Sequence, residues 1–369
     1  MPLARSRRQL NMTHFLRDIL RQPEELSRTI DYLSSGGKSA LQAAASTVRD
    51  ARHVYLTGIG SSWHAALAAA PLFFRGMRPV YLRDAAELLH GAVFPPDSVV
   101  VAISRSGRTT EIVNLVAKAR EMRATVIGIT TSDDVPLARE AQIPIVVPVG
   151  RDHAISVNTY STLAAAAGAL ASATVDRFDS VLAASLISAI ARTEQQLADW
   201  QQQVEDTTWL TPGAITYFLA RGCSLGTCHE ARLLWEEGAK SPATAMSTSS
   251  FRHGPQEMFT KAARFALWID GHRLREQDLA VAHDLKRLGA PVLLVGQDLP
   301  ADSGDLVFQI PLMPPDWQFV VDAIPAQLAA ERLARLAGVD PDSFRICSYI
   351  VESEYGLLPE KVSLPKDER

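Results

Sequence analysis

Cysteine is scarce in this chain: there are three in 369 residues, Cys223, Cys228 and Cys347. So few cannot build a disulfide framework, and their scarcity points to a reducing compartment, the cytoplasm. An excess of charge is lacking too. The formal net charge is −4, and no basic stripe interleaved with aromatics occurs, which argues against a nucleic-acid partner. No apolar run is long enough to span a bilayer, so no membrane segment is expected. The longest weakly polar stretch, residues 163–175, is Ala-rich and interrupted by Gly168. The opening MPLARSRRQLN is basic but has no apolar core. It reads as an extension rather than a signal peptide, with Met12 as a second candidate start. Zinc spacing is absent as well. Cys223, Cys228 and His229 lie together, but no second ligand pair follows, so the thiols read as small buried hydrophobes and neither metal nor cofactor is expected.

What is present is an ordinary globular composition, 47% hydrophobic and 21% charged, on a chain long enough for two domains. Strand and helix signals alternate, as a parallel α/β fold requires. Apolar strands are expected at 53–58, 79–82, 98–103, 125–130 and 143–147, with helices at 62–75, 109–122 and 156–172. The second half repeats the pattern, with strands at 214–222, 262–270, 291–296 and 305–312 and helices at 225–239, 275–289 and 317–337. Gly58 and Gly222 end the first strand of each half, and Ala102 and Ala266 sit in the next buried strand at the same offset of 164. A constant offset is what duplication produces, although any two α/β domains share some of this rhythm. A helical stretch at 13–34 precedes the first unit, and a long polar-faced helix within 176–210 joins the two.

The most informative segment is SVVVAIS followed by Arg105-Ser106-Gly107-Arg108-Thr109-Thr110 and a helical pattern. A buried strand that breaks into a hydroxyl-rich turn and restarts as a helix makes an anion site, because the first-turn N–H groups of the helix have no intrahelical partner. Ser104, Ser106, Thr109 and Thr110 add hydroxyls and Gly107 permits close approach. The plainer reading is that these residues cap the helix. One hydroxyl is enough for a cap, so four favour a phosphate monoester. The corresponding stretch of the second half, DGHRLRE, has lost its hydroxyls. The other glycine turn, Gly58-Ile59-Gly60, fails as a dinucleotide fingerprint because Trp63 stands where the third glycine belongs. It supplies Ser61 and Ser62 to another helix start instead.

Ionisable groups are densest at residues 230–257. Glu230 and Glu237 lie seven apart on one helix face, Glu236 points elsewhere, and His253 sits in a Gly-Pro loop. A carboxylate and an imidazole at one sugar carbon can move a proton between adjacent carbons. A solvated helix face and a surface histidine are the alternative.

Taken together, GSSWHA (60–65), SRSGRTTE (104–111), SVNTYST (156–162) and Glu237 with His253-Gly254-Pro255 resemble the tandem sugar-isomerase (SIS) phosphosugar-binding family. That family includes the isomerase domain of glucosamine-6-phosphate synthase, fructosamine-6-phosphate deglycases and sugar-phosphate deaminases. The resemblance spans residues 13–349. It implies two doubly wound, flavodoxin-like αβα sandwiches, at 35–175 and 211–345, with an extension and helix at 1–34, a linker at 176–210 and a tail at 346–369. It implies that Ser61, Ser62, Ser104, Ser106 and Thr109 hold the phosphate of a sugar 6-phosphate. Gly60, Ser156 and Asn158 would line the sugar. Glu237 would be the acid/base, with His253 contributed across a homodimer interface.

Departures from the family select the reaction. No cysteine precedes Cys223, so glutamine is not expected as a nitrogen donor by way of an N-terminal cysteine nucleophile. Tyr349 stands where the synthase has a lysine, which removes Schiff-base ring opening at that position. C–N cleavage in a ketosamine or amino-sugar phosphate is therefore expected first. Aldose–ketose isomerisation is second, and a non-catalytic sugar-phosphate sensor third. Arg105 and Arg108 replace residues that are usually Gln and Glu, and either grip an anion or face solvent.

Overall fold

The computed structural model describes residues 12–354, 356 and 357; the basic opening and residues 358–369 of the expected tail lie outside them. Two helices come first, α1 (His14–Ser34) and α2 (Lys38–Asp50). Thr13 starts α1 by accepting the Leu16 N–H at 3.0 Å, a side-chain cap of the usual kind. A first αβ series follows: β1 (His53–Thr57), α3 (Ser61–Arg75), β2 (Tyr81–Leu82), α4 (Ala85–Gly91), β3 (Ser98–Ile103), α5 (Thr110–Glu121), β4 (Thr125–Thr130), α6 (Pro136–Glu140) and β5 (Ile143–Val146). Helices α7 (Asn158–Ala173) and α8 (Ser180–Asp206) lead to the second series. That series runs β6 (Thr216–Ala220), α9 (Ser224–Glu237), β7 (Ala243–Ser247), α10 (Thr248–Phe251), β8 (Arg264–Trp268), α11 (Arg275–Arg287), β9 (Val292–Gly296), β10 (Leu306–Gln309) and α12 (Ile324–Ala337).

Each series builds one parallel five-stranded sheet, ordered β2-β1-β3-β4-β5 and β10-β9-β8-β6-β7. Read from the second strand of each series, the two orders are the same. The glycine landmarks agree less well. Thr57 faces Ala102 whereas Phe218 faces Ala266, so the counterpart of Thr57 lies four residues before Gly222 and not beside it. Strand β7 has no match among the expected strands. Its sequence, ATAMS, is half-buried along its whole length and lacks both alternation and bulk, the two signals that mark a strand. The helix expected at 317–337 is split into a 3₁₀ turn at Gln318–Val320 and α12, which starts with Pro325 in its first turn, where a missing N–H costs nothing.

Successive residues of a central strand feed different layers. Val99, Val101 and Ile103 of β3 join one cluster, while Val100 and Ala102 join another with Leu88, Ile112 and Leu115. The second sheet divides likewise, with Phe218 and Trp268 on one side and Leu219 and Leu267 on the other. The inward clusters of both sheets merge into one core. The Ala-rich run noted in the sequence is most of α7, whose residues 158–172 are all buried in the middle of this core. Helices α1 and α8 bury Ile19, Ile30, Leu186 and Trp200 there as well. Among the described residues, no helix is long and apolar enough to cross a membrane.

One contact between the series positions everything that follows. Helix α9 crosses α3 at Gly226, where a Cβ would lie 2.4 Å from the His64 carbonyl oxygen and 2.6 Å from the Ala68 nitrogen. Only glycine permits backbones so close. The crossing carries Glu230 and Glu237 over the start of α3.

Candidate functional site

A cavity of about 240 Å³ opens where the loops after β1 and β3 meet α9 and residues 344–351. It is lined by Gly60, Ser61, Ser62, Ser104, Ser106, Thr109, Ser156 and Glu237, all singled out from the sequence, and by Arg105, Glu111 and Tyr349. Thr109 and Glu237, from different halves of the chain, thus face one space. Asn158 does not line it. Its side chain is fully buried and donates to the Asp18 carbonyl at 2.9 Å and to Asp152 at 2.8 Å, so it secures the start of α7 against α1. His253 is an exposed loop residue and is not among the residues lining the cavity.

The hydroxyls do not cap the helices. Thr109 occupies the N-cap position of α5 and Gly60 that of α3, and neither makes a side-chain cap bond. Instead the loops brace themselves. Ser104 Oγ accepts the Gly107 N–H at 3.1 Å, Ser106 Oγ accepts the Arg108 N–H at 3.2 Å, and Ser62 Oγ accepts the Arg105 N–H at 3.4 Å. Each serine that accepts in this way still has its own O–H to give. Gly107 has φ +58, and a Cβ there would meet Val135 Cγ2 at 2.4 Å, so the loop admits only glycine. The first N–H of α5, on Thr110, is taken by the Val351 carbonyl at 3.2 Å.

The two arginines separate. Arg108 is exposed and donates to the Asp134 carbonyl at 3.3 Å. Arg105 turns inward. Its Nη1 donates to Ser156 Oγ at 2.8 Å, its Nη2 donates to the Tyr349 carbonyl at 3.1 Å, and its guanidinium lies 4.4 Å from the Tyr349 ring centroid. The Tyr349 hydroxyl donates to the Asp152 carbonyl at 3.3 Å. The residue at the family's lysine position therefore walls the cavity as a flat ring over a cation.

Glu237 ends α9 beside this clamp. Burial pushes its carboxyl up to about 7; the nearby Glu230 adds to the rise, and Arg105 and Lys240 oppose it. A carboxyl with that affinity can take and return a proton near neutral pH. Glu236 pairs with Arg232 at 2.8 Å. Glu230 is fully buried. It accepts from Ser61 Oγ at 3.0 Å and pairs with His64 Nδ1 at 2.7 Å. Behind it lies the His229 ring, 5.8 Å from that of His64; burial is the main cause holding this imidazole down at about 4. Of the two thiols weighed for metal, Cys228 is buried and donates to the Phe218 carbonyl at 3.0 Å, and Cys223 is buried beside it in the core. Glu111, whose Oε2 is buried without a hydrogen-bond partner, was passed over in the sequence although it ends the motif SRSGRTTE. Glu230's heptad spacing with Glu237 pointed to a shared face but not to its partners.

Comparison with known proteins agrees with this geometry. Residues 47–173 match the model of the SIS domain. Over those residues the chain is similar to an SIS domain. It is similar to a glutamine–fructose-6-phosphate aminotransferase (isomerizing) of Pyrobaculum aerophilum, at 26% identity over 359 residues, 90% of this chain and 56% of that protein. Over 144 residues it is 36% identical to the HTH-type transcriptional regulator HexR of Escherichia coli, covering 38% of this chain and 50% of the regulator. The chain therefore spans about half the length of these relatives. Among solved structures, a glucosamine-6-phosphate deaminase from Thermotoga maritima superposes with a TM-score of 0.75 at 22% identity, covering 89% of this chain and 97% of that one. The SIS match covers the loops after β1 and β3, and the deaminase's fold extends through both sheets.

Proposed function

We propose that the chain is a tandem-SIS enzyme acting on a ketosamine or amino-sugar 6-phosphate, with Glu237 as acid/base and C–N cleavage as its reaction. The observation that carries the reading is the meeting, in one cavity, of the Ser62, Ser104, Ser106 and Thr109 hydroxyls with a carboxyl raised to about 7. The hydroxyls and the starts of α3 and α5 suit a phosphate monoester. With the phosphate anchored there, Glu237 takes the proton from C-1 of the open-chain ketosamine and returns it to C-2, while the amine proton passes to the C-2 oxygen. The resulting C-1 imine adds water and releases the amine and a hexose 6-phosphate. His253 would enter from a second copy of the chain in a homodimer, since its own loop lies away from the cavity.

Two other readings have their own support. Aldose–ketose isomerisation shares the C-1 to C-2 proton transfer, and the Pyrobaculum relative is described as isomerizing. A sensor finds support in the likeness to a transcriptional regulator, yet a sensor needs no acid/base carboxyl beside the phosphate loop. Incubation with fructosamine 6-phosphates in deuterated water separates the three. With the proton on Glu237 exchanging with solvent during the transfer, free amine and hexose 6-phosphate carrying deuterium at C-2 are expected. Deuterium exchange without amine release makes the protein an isomerase, and saturable binding with neither makes it a sensor.

A further inference from the structure

Of the cavity hydroxyls in the loops after β1 and β3, Ser61 is wired opposite to Ser62 and Ser104; in the 344–351 segment Ser348 likewise gives its O–H away, to the Ile350 carbonyl at 2.9 Å. Ser62 and Ser104 each accept a backbone N–H, and Ser156 accepts Arg105 Nη1, so all three keep an O–H to give to a ligand. Ser106 accepts the Arg108 N–H and shares a 3.3 Å contact with the Thr109 hydroxyl, in which one of the two donates. Ser61 gives its O–H away, to Glu230 Oε1 at 3.0 Å. Glu230 is fully buried, and its other oxygen is taken by His64 at 2.7 Å. An ionised carboxylate can only accept, and a hydroxyl has a single proton. With that proton turned inward, Ser61 Oγ offers the cavity lone pairs alone. Lone pairs repel a phosphate dianion and attract an O–H or N–H donor.

We infer that Ser61 belongs to the carbohydrate end of the cavity, where its Oγ accepts a hydroxyl or ammonium hydrogen of the substrate, and that Glu230 and His64 are positioning residues that fix this polarity. The inference rests on the phosphosugar reading and alters it at one residue, since the family resemblance places Ser61 on the phosphate. The backbone does not change the assignment: the Ser61 side chain selects a donor whatever its N–H does at the start of α3. The arrangement also depends on the crossing at Gly226. Residues 61 and 230 are 169 apart in the chain, and only the close approach of α9 to α3 joins them.

The test compares inorganic phosphate with fructose 6-phosphate by titration calorimetry. Ser61→Ala should weaken fructose 6-phosphate about tenfold, the scale of one hydrogen bond, and leave inorganic phosphate within twofold. Ser61→Thr, which retains the hydroxyl, should restore most of the loss. Glu230→Gln can donate to Ser61 and so turns the Ser61 proton toward the cavity. Fructose 6-phosphate should then weaken while inorganic phosphate holds or tightens, a split that general loosening of the site does not produce. Should Ser61→Ala weaken both probes alike, Ser61 is a phosphate ligand and this inference is wrong while the site reading stands. Should the wild type bind neither probe, or bind fructose 6-phosphate no more tightly than phosphate, the site reading falls and this inference with it.

Discussion

The loops after β3 and β8 leave the middle strands of two sheets with the same strand order, yet they spend their polar groups in opposite ways. After β3, the hydroxyls of Ser104, Ser106 and Thr109 line a cavity. After β8, the chain consumes its own donors. Asp270 accepts the N–H groups of His272 at 2.8 Å and Arg273 at 3.2 Å, and Arg273 reaches Asp316 at 2.9 Å. In the first turn of α11, the fully buried Asp278 takes Arg221 at 2.7 Å. The hydroxyls of the loop after β3 thus face a cavity, whereas the charged groups after β8 pair within the chain. On the proposed reading, the first loop binds a ligand and the second braces the fold.

Function should therefore fail in one place and folding in the other. The largest effect is expected from Glu237→Gln, the group that the second half lends to the open loop. Loss of an acid/base carboxyl should lower turnover of a fructosamine 6-phosphate by about 10²- to 10⁴-fold, with inorganic phosphate affinity kept within a few-fold. A rate within threefold of wild type would remove Glu237 from the chemistry.

The closed loop should respond differently. Asp278→Ala leaves the Arg221 guanidinium, which is mostly buried, without its carboxylate, at a cost of about 3 kcal/mol or more. Denaturant melts should show that loss, while calorimetry with inorganic phosphate should show none. Ser104→Ala should weaken phosphate several-fold and lower stability by about 1 kcal/mol, less than Asp278→Ala, because it leaves the buried Gly107 N–H without its partner. If Asp278→Ala instead cuts phosphate affinity and leaves the melt alone, the assignment of the two loops is inverted.

How far the sequence discloses such a division depends on the distance between partners. The hydroxyl-rich loop after β3 is legible because strand, glycine turn and helix start lie within a dozen residues and each leaves a local mark. Glu237 is legible through its spacing from Glu230 and from the His-Gly-Pro loop. The partners of Glu230 are not, because His64 lies 166 residues away and is brought near only by the packing of α9 on α3. Arg105 illustrates the same limit. Its type suggested an anion or solvent, while its actual clamp on Ser156 and Tyr349 depends on where residues 344–351 fold. Asn158 misled for the converse reason. It sits two residues after Ser156, which lines the cavity, but the register of α7 turns it toward Asp152. β7 escaped because a strand of small half-buried residues carries neither period nor bulk.

The smallest effect concerns the stability cost of holding Glu237 in the open half. Its carboxyl moves from 4.5 to about 7 on folding, chiefly through burial. Between those values the folded protein holds a proton that the unfolded chain has released. The stability this supplies is complete below pH 4.5 and is lost as pH rises through 7. At pH 8 the ionised carboxylate is a burden of about 3 kcal/mol relative to low pH. Glu237→Gln removes that burden. The variant should melt several degrees above the wild type at pH 8 and show no such gain at pH 4.5. Burial sets the sign; of the charged groups around Glu237, Glu230 and Glu236 deepen the burden, and Arg105 and Lys240 relieve it. Arg105→Gln should thus widen the gap at pH 8. A Glu237→Gln variant that melts below the wild type at pH 8 would mean that the carboxylate is favourably paired in the folded state, and the open half would then be as self-satisfied as the closed one.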